Sequence, residues 1–183
     1  RVLSARGIRN LEEVQSLFGG KDTLFDPFLL RDMDRAVQRI RLALESGELI
    51  VVYGDYDCDG VTSTALLYSY LEAVGANVIY YIPDREQEGY GLNTEAIDFL
   101  HEVRGIGLII TVDNGVSAHE EIAHANRLGI DVVVTDHHQP RETLPEAVAV
   151  VDPHRPDCPS PFKGLSGVGV AFKLVCALEG DDG

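Results

Sequence analysis

The sequence predicts an α/β fold in which a mostly parallel five-stranded sheet is flanked by helices. Five short apolar runs are rich in β-branched residues and nearly unbroken, which is typical of strands that are buried on both faces. Amphipathic helical patterns separate most of these runs. With 45% hydrophobic residues in 183, the chain can build one good core. Alternation of strands and helices favours a parallel sheet.

The first 47 residues are expected to form an N-terminal helical appendage that packs on the core, and residues 48–183 to form the main α/β domain. A short helix is predicted over residues 10–18, before two glycines. From Asp32 onward, apolar residues recur at helical spacing on one face, and Gly47 ends this second helix. Neither helix carries a motif with evident chemistry.

The remaining elements follow in alternation. The predicted strands span residues 49–53, 78–82, 108–112, 131–135 and 147–151. The predicted helices span residues 61–74, 94–103, 117–128 and 169–178. Ser117 and Glu120 have the spacing of a capping box at the start of the third of these helices. The link between the fourth and fifth strands is too short for a crossover helix, and the proline-rich residues 152–162 are expected to form a loop.

Composition narrows the class of protein. No run reaches about 18 consecutive apolar residues, so no membrane-spanning helix is expected. The chain begins with Arg1 and has no apolar signal segment, and we expect it to start partway into a longer protein. Three scattered cysteines favour a reducing compartment such as the cytoplasm. A net charge of −15 argues against a nucleic-acid-binding face, but it is compatible with an enzyme whose acidic residues bind cations.

Acidic residues and histidines follow the predicted strands. They are Asp55, Asp57 and Asp59 after the first strand, Asp84 and Arg85 after the second, Asp113 after the third, Asp136, His137 and His138 after the fourth, and Asp152 after the fifth. The carboxyl ends of parallel strands share one edge of the sheet, where ligands bind. A single aspartate at such a position is often a helix cap or turn residue. Their occurrence after all five strands favours a functional site.

This combination of side chains predicts a metal centre. Carboxylates mixed with imidazoles suit Mn²⁺, Mg²⁺ or Zn²⁺, and the lack of a thiolate pair disfavours zinc. There are enough ligands for two ions, and two ions about 3.5–4 Å apart suit phosphoester hydrolysis. Bound cations would offset the repulsion among the three aspartates of GDYDCDG, where Gly54 and Gly60 ease a tight strand-to-helix turn.

The segments GDYDCDG, PDREQEGYGL, TVDNG and TDHH resemble, in order and spacing, the DHH phosphoesterase superfamily. Nearly the whole chain is similar to its branch of bacterial exonucleases that digest single-stranded DNA 5′ to 3′. The resemblance implies release of mononucleotides with Mn²⁺ or Mg²⁺ in DNA repair and recombination. It also implies that single-strand-binding protein and a helicase are partners. Two alternatives stay open: a DHH phosphoesterase acting on short oligonucleotides or nucleotide phosphates, and a catalytically silent DHH scaffold module.

The resemblance also implies metal-binding roles for Asp55, Asp57, Asp59, Asp113 and His137. Asp55 and Asp57 would bind one ion, Asp59 and His137 would bind the second, and Asp113 would bridge both. Members of the superfamily usually supply a further metal-binding aspartate downstream of the histidines. In the exonuclease branch that residue lies beyond Gly183, so the catalytic domain is expected to be incomplete at its C-terminus.

Other residues have implied roles beside the ions. His138 would face the scissile phosphate or complete the metal shell, and Asp136 would orient a histidine. Arg85 could clamp a phosphate, although an ion pair with an acidic neighbour is the alternative. Tyr90 could stack on a base or simply pack. The glycine-rich start of GLSGVGVAFK could offer N–H groups to a phosphate, with close helix packing as the alternative.

Overall fold

The computed structural model describes residues 2–5, 8–11, 14, 24–86, 88–89 and 91–180. Its helices are α1 (Val2–Ala5), α2 (Met33–Ser46), α3 (Cys58–Ala73), α4 (Thr94–Arg104), α5 (His119–Arg127) and α6 (Gly167–Glu179), with a 3₁₀ turn at Pro27–Leu29. Its strands are β1 (Ile50–Tyr53), β2 (Val78–Tyr81), β3 (Leu108–Val112), β4 (Asp131–Thr135) and β5 (Ala149–Val151). The helix predicted over residues 10–18 falls largely outside the described residues.

The five strands form one sheet in the order β2-β1-β3-β4-β5, and every neighbouring pair is parallel. The α/β prediction with a mostly parallel five-stranded sheet is therefore confirmed. From β1 the chain first goes outward to β2 and then returns to the other side of β1 as β3. The strand order thus reverses between β1 and β3, and such a switch point opens a crevice at the carboxyl ends of the strands.

Helices cover both faces of the sheet. On one face, α2, α3 and α6 bury apolar side chains with Val52, Ile110 and other strand residues in a single cluster. On the other face, α4 and α5 pack against Val51, Ile109 and their neighbours. The β-branched strand residues point to both layers, which explains why the runs look apolar throughout rather than alternating.

The helix α2 is part of this core. Its residues Met33, Ala36, Val37, Ile40 and Ala43 are buried in the same cluster as the strands, and burying a side chain such as Ile40 stabilises the fold by about 1.5–3 kcal/mol. The residue before the helix, Asp32, accepts hydrogen bonds from Val150 N (3.3 Å) and Arg155 Nη1 (2.6 Å). The N-terminal segment is thereby tied to β5, while the domain boundary near residue 48 stays a prediction.

The starts of α3 and α5 differ from the prediction, and α6 begins two residues earlier than predicted, at Gly167. The helix α3 begins at Cys58 rather than Val61, because the Asp57 carboxylate caps it by accepting the Gly60 N–H at 2.9 Å. The expected capping box of α5 is wrong. The N-cap is Ala118 and has no side-chain hydrogen bond, because the Ala118 N–H closes a turn onto Gly115 O and shifts Ser117 out of the capping position.

Candidate metal centre

The predicted site residues converge at the carboxyl edge of the sheet. Asp55 follows β1, Asp113 follows β3 and Asp136 follows β4, and each of these side chains is about 1% exposed. Burying three carboxylates at one sheet edge is costly unless hydrogen bonds or cations compensate. The three carboxylates differ in how many hydrogen bonds they accept. A carboxylate with an unsatisfied oxygen could bind a metal, whereas one with all its hydrogen bonds made supports the site.

The three aspartates of GDYDCDG have different environments. The buried Oδ1 of Asp55 has no hydrogen-bond partner within the described part of the chain. Asp57 is exposed and caps α3. Asp59, in the first turn of α3, accepts N–H donors from Gly167 (2.7 Å) and Val168 (2.8 Å) at the start of α6. These two N–H groups therefore bind Asp59 rather than a phosphate. The expectation that the start of GLSGVGVAFK offers its N–H groups to a phosphate is wrong for Gly167 and Val168.

The glycines between β1 and α3 are required by space. A Cβ at Gly54 would lie 1.9 Å from Thr64 Oγ1, and a Cβ at Gly60 would lie 2.5 Å from Asp55 O. Neither position has a positive φ. Glycine is required at both because neighbouring atoms leave no room for a Cβ. The tight turn folds Asp55 back under the first turn of α3.

Asp113 stands at the switch point in a left-handed backbone conformation with φ 62°. The next residue, Asn114, is fully buried and donates from Nδ2 to Tyr53 O (3.3 Å) and Val112 O (2.9 Å). It thereby ties the end of β1 to the end of β3. Asn114 was not among the predicted site residues, although an Asp-Asn pair directly after a buried strand indicates side-chain hydrogen bonds to nearby backbone.

The TDHH segment forms a supported histidine pair. Asp136 Oδ1 accepts from His137 N (2.7 Å) and pairs with His138 Nδ1 (2.7 Å), while Asp136 Oδ2 accepts from Val116 N (2.9 Å). The His137 ring packs beside the His138 ring, with centroids 4.6 Å apart, and its Nε2 lies 2.9 Å from Asp113 Oδ1 and 3.6 Å from Asp59 Oδ2. Asp136 thus orients His138.

The pKa values of these carboxyl groups also differ. Burial, reinforced by the charges of Asp59 and Asp57, raises the pKa of Asp113 to about 7. Burial also raises the pKa of Asp55. Burial alone would raise the pKa of Asp136, but hydrogen bonds from His138 and Val116 outweigh it and hold that pKa below its usual range. The bond to Asp136 in turn raises the pKa of His138 to about 9.

Two sets of side chains bring possible ligand atoms within 4.8 Å of one another: Asp55, Asp57 and Asp113, and Asp113, His137 and His138. Asp113 belongs to both sets. The unsatisfied Asp55 oxygen and the raised pKa of Asp113 describe an acidic centre whose negative charge the nearby His138 and Arg85 offset only in part. Oxygen and imidazole donors of this kind fit Mn²⁺ or Mg²⁺. Asp59 lies outside both sets, although it approaches His137.

Of the two predicted substrate contacts, Arg85 lies on the loop after β2. Arg85 is exposed, and its guanidinium carbon lies 5.2 Å from the centre of the Tyr56 ring. The charge of Arg85 opposes the rise in the pKa of Asp55 that burial causes. The loop is braced by Glu88, which accepts from Tyr81 Oη and from Asp84 N (2.8 Å). Tyr90 lies outside the described residues.

Two further features border the centre. Asp152 after β5 is fully buried, and burial raises its pKa to about 7, but it belongs to neither ligand set. A cleft of about 430 Å³ opens beside Asp136 and His138, with Leu92 and Val116 in its wall and Arg141 at its rim. No local sequence pattern indicates this cleft, because its wall comes from three separate loops.

The sequence profile described as "DHH family, N-terminal domain" matches residues 49–182. This chain belongs to the DHH family. Among curated DHH relatives, the single-stranded-DNA-specific exonuclease RecJ of Bacillus subtilis is 47% identical over 181 residues, which cover 98% of this chain and 23% of the relative. RecJ of Escherichia coli is 44% identical over 180 residues, which cover 98% of this chain and 30% of the relative.

Solved structures agree with this assignment. A crystal structure of RecJ from Thermus thermophilus in complex with Mn²⁺ matches with a TM-score of 0.74 and 34% sequence identity, covering 97% of this chain and 24% of that one. The chain thus spans less than a third of the length of these DHH relatives. None of the described helices is long and apolar enough to cross a membrane.

Proposed function

We propose that this chain is the metal-binding catalytic domain of a 5′-to-3′ exonuclease specific for single-stranded DNA, which releases mononucleotides in DNA repair and recombination. The observation that carries the proposal is the position of Asp113 in both ligand sets. Two sets that share one carboxylate are the arrangement that a pair of bridged divalent cations needs. The names of the RecJ relatives, at 47% and 44% identity, support the choice of substrate.

The proposed ligands follow from the geometry. Asp55, Asp57 and Asp113 would hold one Mn²⁺ or Mg²⁺, and Asp113 and His137 would hold the other, with Asp59 able to approach it beside His137. When bound, such cations neutralise charge on a phosphoryl group and supply hydroxide near neutral pH. Without them, a buried carboxylate with a pKa of about 7 would be partly protonated near neutral pH.

The other residues would act on the DNA strand. His138, with its pKa raised to about 9 by Asp136, carries a positive charge at neutral pH. We place the charged ring against a phosphate oxygen; as a ligand in the metal shell it would first have to release its Nε2 proton. Asp136 Oδ1, 2.7 Å from Nδ1, fixes the orientation of the ring. Arg85 and Tyr90 would contact the strand, the first through a phosphate and the second through a base. The cleft beside His138 has room for part of a nucleotide.

The setting of this activity is also proposed. Single-strand-binding protein and a helicase are the partners that the resemblance implies. A cytoplasmic location agrees with three cysteines that are all free thiols, Cys58, Cys158 and Cys176. Neither proposal rests on a contact surface of this chain.

The test offers the protein a 5′-labelled DNA single strand, the matching duplex and a set of dinucleotides, with Mn²⁺ or with a chelator. Release of labelled mononucleotides from the single strand, with Mn²⁺ only, is the expected result. Preference for dinucleotides would instead indicate a phosphoesterase of short oligonucleotides. Binding of Mn²⁺ without any cleavage would assign this chain only the metal-binding part of the activity. Asp113→Ala should abolish cleavage, and retained activity would contradict the bridging role.

A further inference from the structure

We infer that the first turn of α6 positions the metal centre and that Gly167 is the residue on which this positioning depends. The inference rests on the proposed function, since it concerns the carboxylates of that centre. The helix α6 begins at Gly167 after the N-cap Ser166, whose hydroxyl accepts from Gly169 N at 3.3 Å. Its first turn lies against two aspartates from different elements, Asp59 in the first turn of α3 and Asp113 after β3.

The contact with Asp59 is made by two backbone N–H groups. Gly167 N donates to Oδ2 (2.7 Å) and Val168 N donates to Oδ1 (2.8 Å), so both carboxylate oxygens are held. Hydrogen bonds from backbone N–H groups to a carboxylate are among the stronger ones, and the N-terminus of a helix carries partial positive charge. The α6 turn therefore fixes Asp59 at its position 3.6 Å from His137 Nε2 and offsets part of the local negative charge.

The contact with Asp113 is steric. A Cβ placed on Gly167 would lie 2.5 Å from Asp113 Oδ1 and 2.6 Å from Asp113 Cβ. Real Cβ atoms essentially never come this close to other heavy atoms, so one of the two residues would have to move. Asp113 has little freedom to do so, since it is 1% exposed, has φ 62° and donates its N–H to Thr135 O at 3.0 Å. A side chain at position 167 would displace the carboxylate that both ligand sets share.

A second glycine in the same turn provides the comparison. The three atoms nearest to a Cβ on Gly169 would be Leu165 Cδ2 at 3.2 Å, Leu165 Cβ at 3.5 Å and Ser166 Oγ at 3.7 Å, and none of them belongs to the acidic cluster. Neither Gly167 nor Gly169 has a positive φ. Backbone conformation therefore does not explain glycine at position 167, and contact with Asp113 does. Gly167→Ala and Gly169→Ala are a matched pair that differ in whether the added methyl group reaches the acidic cluster.

The experiment titrates Mn²⁺ by calorimetry into the protein and both variants. Gly167→Ala should weaken at least one Mn²⁺ site by about tenfold or more, as is typical of residues that position metal ligands, while Gly169→Ala should bind as the wild type does. The readout without metal is NMR of the side-chain carboxyl carbons. The Asp59 and Asp113 resonances should shift in Gly167→Ala and stay in place in Gly169→Ala. Wild-type affinity with unshifted resonances in Gly167→Ala would overturn the inference.

Two outcomes separate this inference from the proposed function. If the wild type binds no Mn²⁺, the proposed function fails, but the carboxyl resonances still decide whether Gly167 positions Asp113. If Gly167→Ala does not fold, the double variant Gly167→Ala with Asp113→Gly tests whether the collision with Asp113 is the cause. Removing the Asp113 side chain at a φ that glycine favours should restore folding if the collision is the cause. A double variant that stays unfolded would contradict the positioning role.

Discussion

The imidazole Nε2 of His137 lies 2.9 Å from Asp113 Oδ1, which links the carboxyl ends of β4 and β3. The contact joins the histidine of the TDHH segment to the aspartate of TVDNG, two segments that the sequence separates by more than a helix. Asp113 therefore occupies the middle of the acidic centre, with the aspartates of GDYDCDG on its other side. A change at Asp113 should consequently affect both ligand sets at once.

Asp113→Asn should weaken Mn²⁺ binding and stabilise the metal-free protein at pH 8. Burial and neighbouring carboxylates raise the folded-state pKa of Asp113 from 3.8 to about 7. The contribution of this carboxyl group to stability is therefore full below about pH 4 and is lost as pH rises through 7. Removing the charge should increase the free energy of unfolding at pH 8 by up to about 4 kcal/mol, at about 1.4 kcal/mol for each unit of pKa shift, measured by urea denaturation.

Asp152→Asn is the matched control for that variant. Asp152 is also fully buried, and burial raises its pKa to about 7. It belongs to neither ligand set. We expect Asp152→Asn to stabilise the metal-free protein at pH 8 in the same direction while leaving the calorimetric Mn²⁺ affinity unchanged. Equal loss of affinity in both variants would mean that net charge, rather than ligation by Asp113, governs binding.

Mn²⁺ should bind more tightly at pH 8 than at pH 6. At pH 6 a carboxyl group with a pKa of about 7 is protonated in about nine molecules of ten, and the proton competes with the cation. The expected decrease in affinity from pH 8 to pH 6 is about tenfold. Calorimetry in two buffers of different ionisation enthalpy should show proton release at pH 6. Affinity independent of pH, without proton release, would contradict the raised pKa.

Asp136→Asn should lower the pKa of His138 from about 9 toward 6.5. The hydrogen bond between Asp136 Oδ1 and His138 Nδ1, at 2.7 Å, is the largest cause of the raised value. Imidazole ¹⁵N resonances followed across pH 5–10 in metal-free protein provide the measurement. The His124 ring, which pairs with Asp98 instead, serves as an internal reference. A His138 resonance that still titrates near pH 9 would show that a group other than Asp136 raises the pKa of His138.

Arg85→Ala should raise the KM for single-stranded DNA by about tenfold and leave kcat within a few-fold, because a lost phosphate contact mainly weakens binding. Arg104→Ala removes the same charge from the last turn of α4, which lies toward the amino edge of the sheet, and it should leave both constants unchanged. Equal effects of the two substitutions would reduce the role of Arg85 to general electrostatics. The assay follows mononucleotide release at several salt concentrations.

Much of the fold was predictable because its signals are local. The β-branched runs indicate the strands, and the acidic residues after them indicate Asp55, Asp113 and the TDHH histidines as neighbours at one sheet edge. The hydrogen bonds from α6 to Asp59 were not predictable, because they join residues that lie 108 and 109 positions apart. The role of Asn114 and the requirement for Gly167 likewise depend on how separate elements pack. The failed capping box at Ser117 shows that a turn can override a local motif.

The number of Mn²⁺ ions bound per chain tests the bridging role of Asp113 most directly. Calorimetric titration of the folded protein, with metal content checked by elemental analysis, gives this number. We expect two ions for the wild type and at most one for Asp113→Asn, because Asp113 belongs to both ligand sets. A folded wild-type chain that binds no Mn²⁺, or an Asp113→Asn variant that still binds two ions with unchanged affinity, would contradict a shared two-metal centre.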